Sequence, residues 1–278
     1  MRLLAIAIAA AMTAGRVDAS PQDAQRDTDR TAIVQTMLDY AEGYYGGEPA
    51  RMARAVSPFL SKRAMAVRPG VPPFLLQMNA DTLIDAAHGA KLAAADRHIT
   101  TEVLDVTGDV ASARVFTAQF NDYLHLVKRN GAWQILNVLW HAPMPAEGAA
   151  SAATPPVEAA AREYVGALIA GDGSRALAVL HPLAHLRVFA APPQGRPRIV
   201  RELNPETLAA GLASGQGRLP GTLDEARIAV LGIDTNIASA RVTAGPQTLY
   251  LHLAQFDGKW RVVNALTYPP APAGASGR

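Results

Sequence analysis

The chain contains no cysteine. That excludes disulfides, thiolate metal ligands, a cysteine nucleophile and a lipid-modified cysteine behind an export signal. Charged residues are also scarce, at 18% of 278, against roughly 25% in ordinary soluble proteins. The formal net charge is only +2, so electrostatics give no reason to expect nucleic acid or an anionic membrane as a partner. No GxSxG elbow, phosphate-binding glycine run or HExxH pair occurs, and nothing in the sequence implies a cofactor. What is abundant is apolar material, 49% of residues. At about 100–200 residues per domain, the length fits two domains, each with its own core.

The amino terminus reads as a secretory signal over residues 1–19. Arg2 is followed by the apolar stretch LLAIAIAAAMTAG, and VDA puts Val17 and Ala19 at the small-residue cleavage positions. The stretch is short of the roughly 20 residues a membrane span needs; a retained signal anchor is the alternative. Cleavage would leave an exported chain, periplasmic or secreted from a bacterium, with no stable membrane insertion and only its cores to hold it together.

The rest of the sequence is written twice. With Trp133 set on Trp260, ASARV at Ala111–Val115 falls on ASARV at Ala238–Val242, and YLHL from Tyr123 falls on YLHL from Tyr250. Gly131, Asn137, Leu139 and Pro143 fall on Gly258, Asn264, Leu266 and Pro270 in the same register. Upstream, at a slightly smaller offset, Tyr40 lies against Tyr164 and Asn79 against Asn204. The organisation expected is an N-terminal extension at 20–27, a first copy at 28–143, a Pro/Ala/Gly-rich linker at 144–156, a second copy at 157–270 and a disordered tail at 271–278.

Within each copy the pattern predicts helices first and strands afterwards. Ile33, Met37, Tyr40, Ala41 and Tyr44 share one face at helical spacing, as do Val157, Ala161, Tyr164, Val165 and Leu168. PARMARAV and GSRALAVL read as a second short helix. Asn79 and Asn204 read as N-caps of a third, with Pro205 at its first position. Strands follow at Thr101–Val106 and Ala111–Phe120, then a hairpin turning at Asn130-Gly131 in the first copy and Asp257-Gly258 in the second. A two-residue turn with unbroken alternation sets Leu124 opposite Asn137 and His125 opposite Leu136. One face then carries Leu124, Leu126, Trp133, Ile135, Asn137 and Leu139. The other carries Tyr123, His125, Gln134, Leu136, Val138 and Trp140. Both faces are largely apolar, so both should be covered, and an α+β fold that pairs through its sheets is expected.

The residues AIVQTMLDYAEGYYGGEPARMARAVSPFLSKRAM, TTEVLDVTGDVASARV and DYLHLVKRNGAWQILNVLW resemble a nuclear transport factor 2-like domain of the branch called putative lumazine-binding proteins. The second copy resembles it more distantly, with GIDTNIASARV and LYLHLAQFDGKWRVVNALT, and lacks the aspartate of DYL. The resemblance implies two tandem cone-shaped domains, each with three helices packed on a curved antiparallel sheet around a ligand pocket. It also implies pairing through the sheet, here as an intramolecular pseudo-dimer. This fold hosts enzymes, carriers and scaffolds alike.

If the Leu–Ile–Trp face lines the cone, the candidate ligand-binding residues are Tyr40, Tyr44, Leu124, Trp133, Asn137 and Leu139. Asn137 and Asn264 would then be amides among apolar neighbours that must find hydrogen-bond partners. No residue is assigned a catalytic role. Asp122 points inward but reads as a solvated carboxylate at a strand start, as most aspartates are exposed. His125 and His252 read as half-buried sheet residues on the face away from the cone. His181 and His185 have the spacing of ligands on one helix face, yet Pro182 interrupts it and a zinc site needs three or four ligands. Arg187–Glu202 reads as a solvated Pro-rich loop near the cone mouth. Three readings stay open. The leading one is a non-catalytic carrier of a small apolar or aromatic molecule. The others are an acid–base enzyme (dehydratase, isomerase or hydrolase) and a structural or interaction protein with filled cones.

Overall fold

The computed structural model describes residues 20–68, 70–141, 154–192 and 195–269. The expected signal, most of the linker and the tail lie outside these residues. Each copy runs two helices, two strands, a short helix and four further strands. The first comprises α1 (Pro21–Gly46), α2 (Pro49–Ala55), β1 (Val56–Arg68), β2 (Val71–Met78), α3 (Ala80–Ala86), β3 (Thr100–Thr107), β4 (Val110–Phe116), β5 (Asn121–Arg129) and β6 (Ala132–His141). The second comprises α4 (Thr154–Ala170), α5 (Gly173–Val179), β7 (Leu180–Ala190), β8 (Arg198–Leu203), α6 (Pro205–Ala213), β9 (Arg227–Asp234), β10 (Ile237–Ala244), β11 (Gln247–Phe256) and β12 (Lys259–Tyr268). The two six-stranded sheets have matching orders, β2-β1-β6-β5-β4-β3 and β8-β7-β12-β11-β10-β9. All pairs are antiparallel except β1/β6 and β7/β12.

Helix α1 begins at Pro21, so its first turns run through the expected N-terminal extension at 20–27; Ser20 caps it by accepting from the Asp23 amide. Some expectations are corrected at this level. Helices do not all precede strands, because β1/β2 and β7/β8 stand between them. The segment expected as a solvated loop at Arg187–Glu202 includes the end of β7 and most of β8, and Arg187 is buried. The strand expected at Ala111–Phe120 ends at Phe116, and residues 154–156 of the expected linker open α4. The capping and turn signals hold. Asn79 and Asn204 accept from the amides of Thr82 and Thr207. At both hairpin turns the two central residues have positive φ, Asn130 52° and Gly131 81°, Asp257 49° and Gly258 76°. A type I′ turn demands this conformation, and Gly takes it without a Cβ penalty.

The hairpin register departs from unbroken alternation at one point. Leu126 pairs with Ile135 as expected, but His125 pairs with Asn137, leaving Leu136 as a bulge. The second copy bulges at the equivalent Val263, between the His252–Asn264 and Leu253–Val262 pairs. One inserted residue moves every later side chain to the opposite face. Asn137 and Leu139, expected in the cone, therefore turn away from it, and Val138 and Trp140, expected outside, turn in. Asn264 leaves the cone for the same reason, while Ala265 joins the core of its own copy.

The outward faces pack on each other, sheet against sheet. Tyr123, Leu139 and Met65 of the first copy share an apolar cluster with Ile237, Phe256 and Val263 of the second. Leu136 and Val127 share another with Tyr250 and Leu266. A polar seam with pseudo-two-fold symmetry runs between them. Ser112 bonds Ser239 (2.9 Å), and the His125 and His252 rings stack with centroids 3.5 Å apart. Asn137 Nδ2 lies 3.2 Å from His125 Nδ1, and Asn264 Nδ2 lies 3.2 Å from His252 Nδ1. Arg187 donates to Asn137 Oδ1 (2.7 Å), and Arg63 donates to Asn264 Oδ1 (2.5 Å). Each guanidinium thus fixes its amide with the NH2 toward the imidazole, which must accept at Nδ1 and stay neutral. Burial, reinforced by Arg187, holds His125 down at about 3, and burial with His125 and Arg63 nearby holds His252 well below its ordinary range.

Two outcomes are expected. Sedimentation should give the mass of one chain, because the surface through which single domains would dimerise is already filled. From pH 6.5 down to about 3 an unfolded histidine binds a proton that folded His125 does not, and the depressed His252 acts in the same direction, so stability is retained above pH 6.5 and lost as pH falls through that acid window. Urea denaturation across the window should show a shallower acid loss in the His125→Gln/His252→Gln double variant. Equal slopes would refute the assignment.

Candidate functional site

The first cone encloses a charged cluster that is absent from the second. Tyr40 enters from the apolar face of α1, Lys62 from β1 and Asp122 from β5. Strand alternation sends Leu60 and Lys62 into the cone and Arg63 and Met65 to the interface. Lys62 Nζ donates to Tyr40 Oη (2.5 Å) and to Asp122 Oδ2 and Oδ1 (3.1 and 3.3 Å), while Tyr40 donates to Asp122 Oδ2 (2.5 Å). Asp122 is 0% exposed, Tyr40 1% and Lys62 5%.

Aromatic rings surround the cluster. The ammonium lies 4.9 Å from the Trp140 ring centroid and 5.2 Å from those of Tyr40 and Phe120, within cation–π range. Phe120 stacks on Tyr45 (5.4 Å) and meets Tyr44 and Trp140 edge-on (5.8 and 6.5 Å). The chain before β5 is tied down for this purpose: Thr117 bonds Tyr45 Oη (2.8 Å) and accepts from the Phe120 amide (3.1 Å). Tyr44 and Trp140 are the partly exposed members of the wall.

Burial raises the Asp122 carboxyl above its ordinary range and lowers the Lys62 ammonium below its own, and the attraction between the two opposes both shifts. Burial and Asp122 push the Tyr40 phenol well upward, so it remains a donor. The arrangement holds a carboxylate, a phenol and an ammonium in mutual contact and buried, with aromatic faces around them.

Of the residues expected to line the cone, Tyr40, Leu124 and Trp133 are in its core and Tyr44 is in its wall. Trp133 donates its indole N–H to Asp29, which also pairs with Lys128. Asp29 lies eleven residues before Tyr40 on α1, roughly 16 Å along the axis, so Trp133 anchors a different part of the cone. Asn137 and Leu139 lie in the interface because of the bulge. Asp122 is not the solvated strand-end carboxylate expected: it is fully buried in the cone, bonded by Tyr40 and Lys62. Lys62 was not anticipated; the signal was the alternation Leu60, Lys62, Ala64 against Ser61, Arg63, Met65 in FLSKRAM. His181 and His185 are on strand β7, where His181 accepts from the Leu183 amide and the His185 Nε2 meets the Glu202 carboxylate. Among the described residues no group of three His, Asp or Glu side chains is arranged to hold a metal.

The second cone shows what the fold requires without the cluster. Lys62 pairs with Val138 as Leu186 pairs with Ala265, and Asp122 pairs with Trp140 as Leu249 pairs with Thr267. The three counterparts are thus Tyr164, Leu186 and Leu249, all in one apolar core.

A family model described as "Putative lumazine-binding" matches residues 28–141 and again 152–268. Among solved structures, an NTF2-like protein of unknown function from Shewanella baltica OS155 is 21% identical (TM-score 0.37), aligning 43% of this chain with 97% of that one. One from Silicibacter pomeroyi DSS-3 is 22% identical (TM-score 0.36; 43% and 98%). A ketosteroid isomerase-like protein from Erwinia carotovora atroseptica is 14% identical (TM-score 0.31; 42% and 98%). No curated protein matches the chain.

A buried pair that loses one partner leaves an uncompensated charge, at a cost of about 3–5 kcal/mol, whereas apolar replacement of both partners is often neutral or stabilising. In urea denaturation, Lys62→Leu and Asp122→Leu should each lose that much. The double variant, which copies the second cone, should recover most of it. Additive losses would count against a coupled pair.

Proposed function

The chain belongs, through both copies, to the Putative lumazine-binding family of nuclear transport factor 2-like domains, and from that premise we propose that its first cone holds a small planar aromatic molecule with a hydrogen-bonding edge. The observation that carries this reading is the Tyr40–Lys62–Asp122 cluster beneath Tyr44, Phe120 and Trp140, set against an apolar counterpart in the sister copy. A fold that packs Tyr164, Leu186 and Leu249 at the same three positions has no structural need of a buried ion pair. Desolvating such a pair is costly, and a ligand that uses it gives it a purpose. The aromatic wall offers faces for stacking, and the ammonium and carboxylate offer a donor and an acceptor to one ring edge. Phe120 and Trp140 would move aside to admit the ligand. The second cone serves as a partner domain with a filled core. In the same reading the chain acts outside the bacterial cytoplasm, which the apolar amino-terminal segment and the absence of cysteine support.

Acid–base catalysis is the second reading, favoured by one observation: burial raises the protonation range of Asp122, which has a phenol and an ammonium in contact. Against it, Asp122 is already engaged by both partners.

Titration with lumazine, followed by Trp140 fluorescence, should quench the wild-type protein saturably. The Lys62→Leu/Asp122→Leu variant should bind at least about tenfold more weakly. Unchanged binding in that variant, or none in the wild type, would overturn the cone assignment. Product formation that disappears in Asp122→Asn would establish the enzyme instead.

A further inference from the structure

The interface polar seam treats its two arginines unequally. Arg187 and Arg63 occupy equivalent places, on β7 and β1, each donating to the asparagine of the other copy. Arg187 pairs across its sheet with Glu202 of β8, which accepts from its Nε and Nη2 (3.4 and 3.1 Å). Arg63 pairs across its sheet with Gln77 of β2. A neutral amide therefore stands where the second copy has a carboxylate.

Arg63 is 3% exposed. Its Nη1 donates to Ser61 Oγ and Asn264 Oδ1, its Nη2 donates to the Leu183 carbonyl, and its Nε is buried with no acceptor. Every acceptor it has is neutral; Glu202 acts on it only at longer range. A buried cation without a carboxylate is an expensive arrangement. Burial and repulsion from Arg187 push its guanidinium down to about 10.

This residue lines a solvent-accessible cleft of about 450 Å³ between the copies, bordered also by Ser61, Gln77, Asn79, His185 and Arg187. The volume is in the range of small-molecule sites. His185 is held down at about 4 by burial and the two arginines, so at neutral pH it contacts Glu202 as a neutral imidazole and adds no charge. Two guanidiniums against one carboxylate leave the cleft net positive.

We propose that the cleft binds a small oxyanion, a carboxylate or phosphate group supplying the counter-charge that Gln77 does not. The site belongs to the joined pair of copies, since one copy contributes Arg63 and Gln77 and the other Arg187 and His185. It is separate from the cone, because Arg63 and Lys62 point to opposite faces of β1.

The test is titration calorimetry of the intact chain with inorganic phosphate and with succinate, each against chloride at matched ionic strength. Removing Arg63 risks the fold, so the informative variant is Gln77→Glu, which installs the second copy's solution. At least one of the two anions should bind the wild-type protein saturably. Gln77→Glu should raise Tm without added anion and weaken binding at least about tenfold. Absence of saturable binding by both anions, or wild-type affinity in Gln77→Glu, would overturn the proposal.

Discussion

A six-stranded sheet with apolar side chains on both faces has to cover both, and the chain meets that demand by being its own partner. Helices cover one face of each sheet, and the other sheet covers the second. Everything else in the molecule is arranged around this central seam. It is not purely apolar: two serines, two histidines, two asparagines and two arginines cross it in pseudo-symmetric pairs. Such groups are tolerable in a dry interface only when their bonds are made. Here the Arg–Asn–His order assigns most of them, at the cost of the partnerless imidazole Nε2 atoms. A fixed set of partners also specifies one register between the sheets, which apolar contact alone would leave loosely defined.

Joining the copies in one chain permits them to diverge. A homodimer would carry the charged cluster in both cones or in neither. This chain keeps Lys62 and Asp122 in one and leucine in the other, over the same helices and strand order. The same freedom separates Gln77 from Glu202 at the interface. Each copy is therefore an internal control for the other: what both share is what the fold needs, and what one alone has requires another explanation.

Most of the fold was legible because its signals are local. Helical spacing on α1, the Asn79 and Asn204 caps and the Asn-Gly and Asp-Gly turns each depend on a few neighbouring residues. The candidate site was less legible. Its lysine sits in β1, whose SPFLSKRAMAVR mixes charge with apolar residues on both faces, so alternation is visible only once the faces are known. Asp122 looked like an exposed strand end because the residues that engage it, Tyr40 on α1 and Lys62 on β1, are distant in sequence and converge only in the folded cone.

By itself the sequence determined the duplication, the α+β architecture, the turn residues and the requirement that both sheet faces be covered. These follow from residue type and spacing, which fix local conformation and burial. The tertiary structure alone decided which side chains face the cone. One bulged residue, Leu136 in the first copy and Val263 in the second, inverts the pattern for the rest of its strand, and nothing in the alternation around it marks where the extra residue falls. Whether a charge is paired was likewise settled only in three dimensions, because Lys62 meets Asp122 across sixty residues of chain and Arg63 meets a neutral Gln77 where its twin meets a carboxylate.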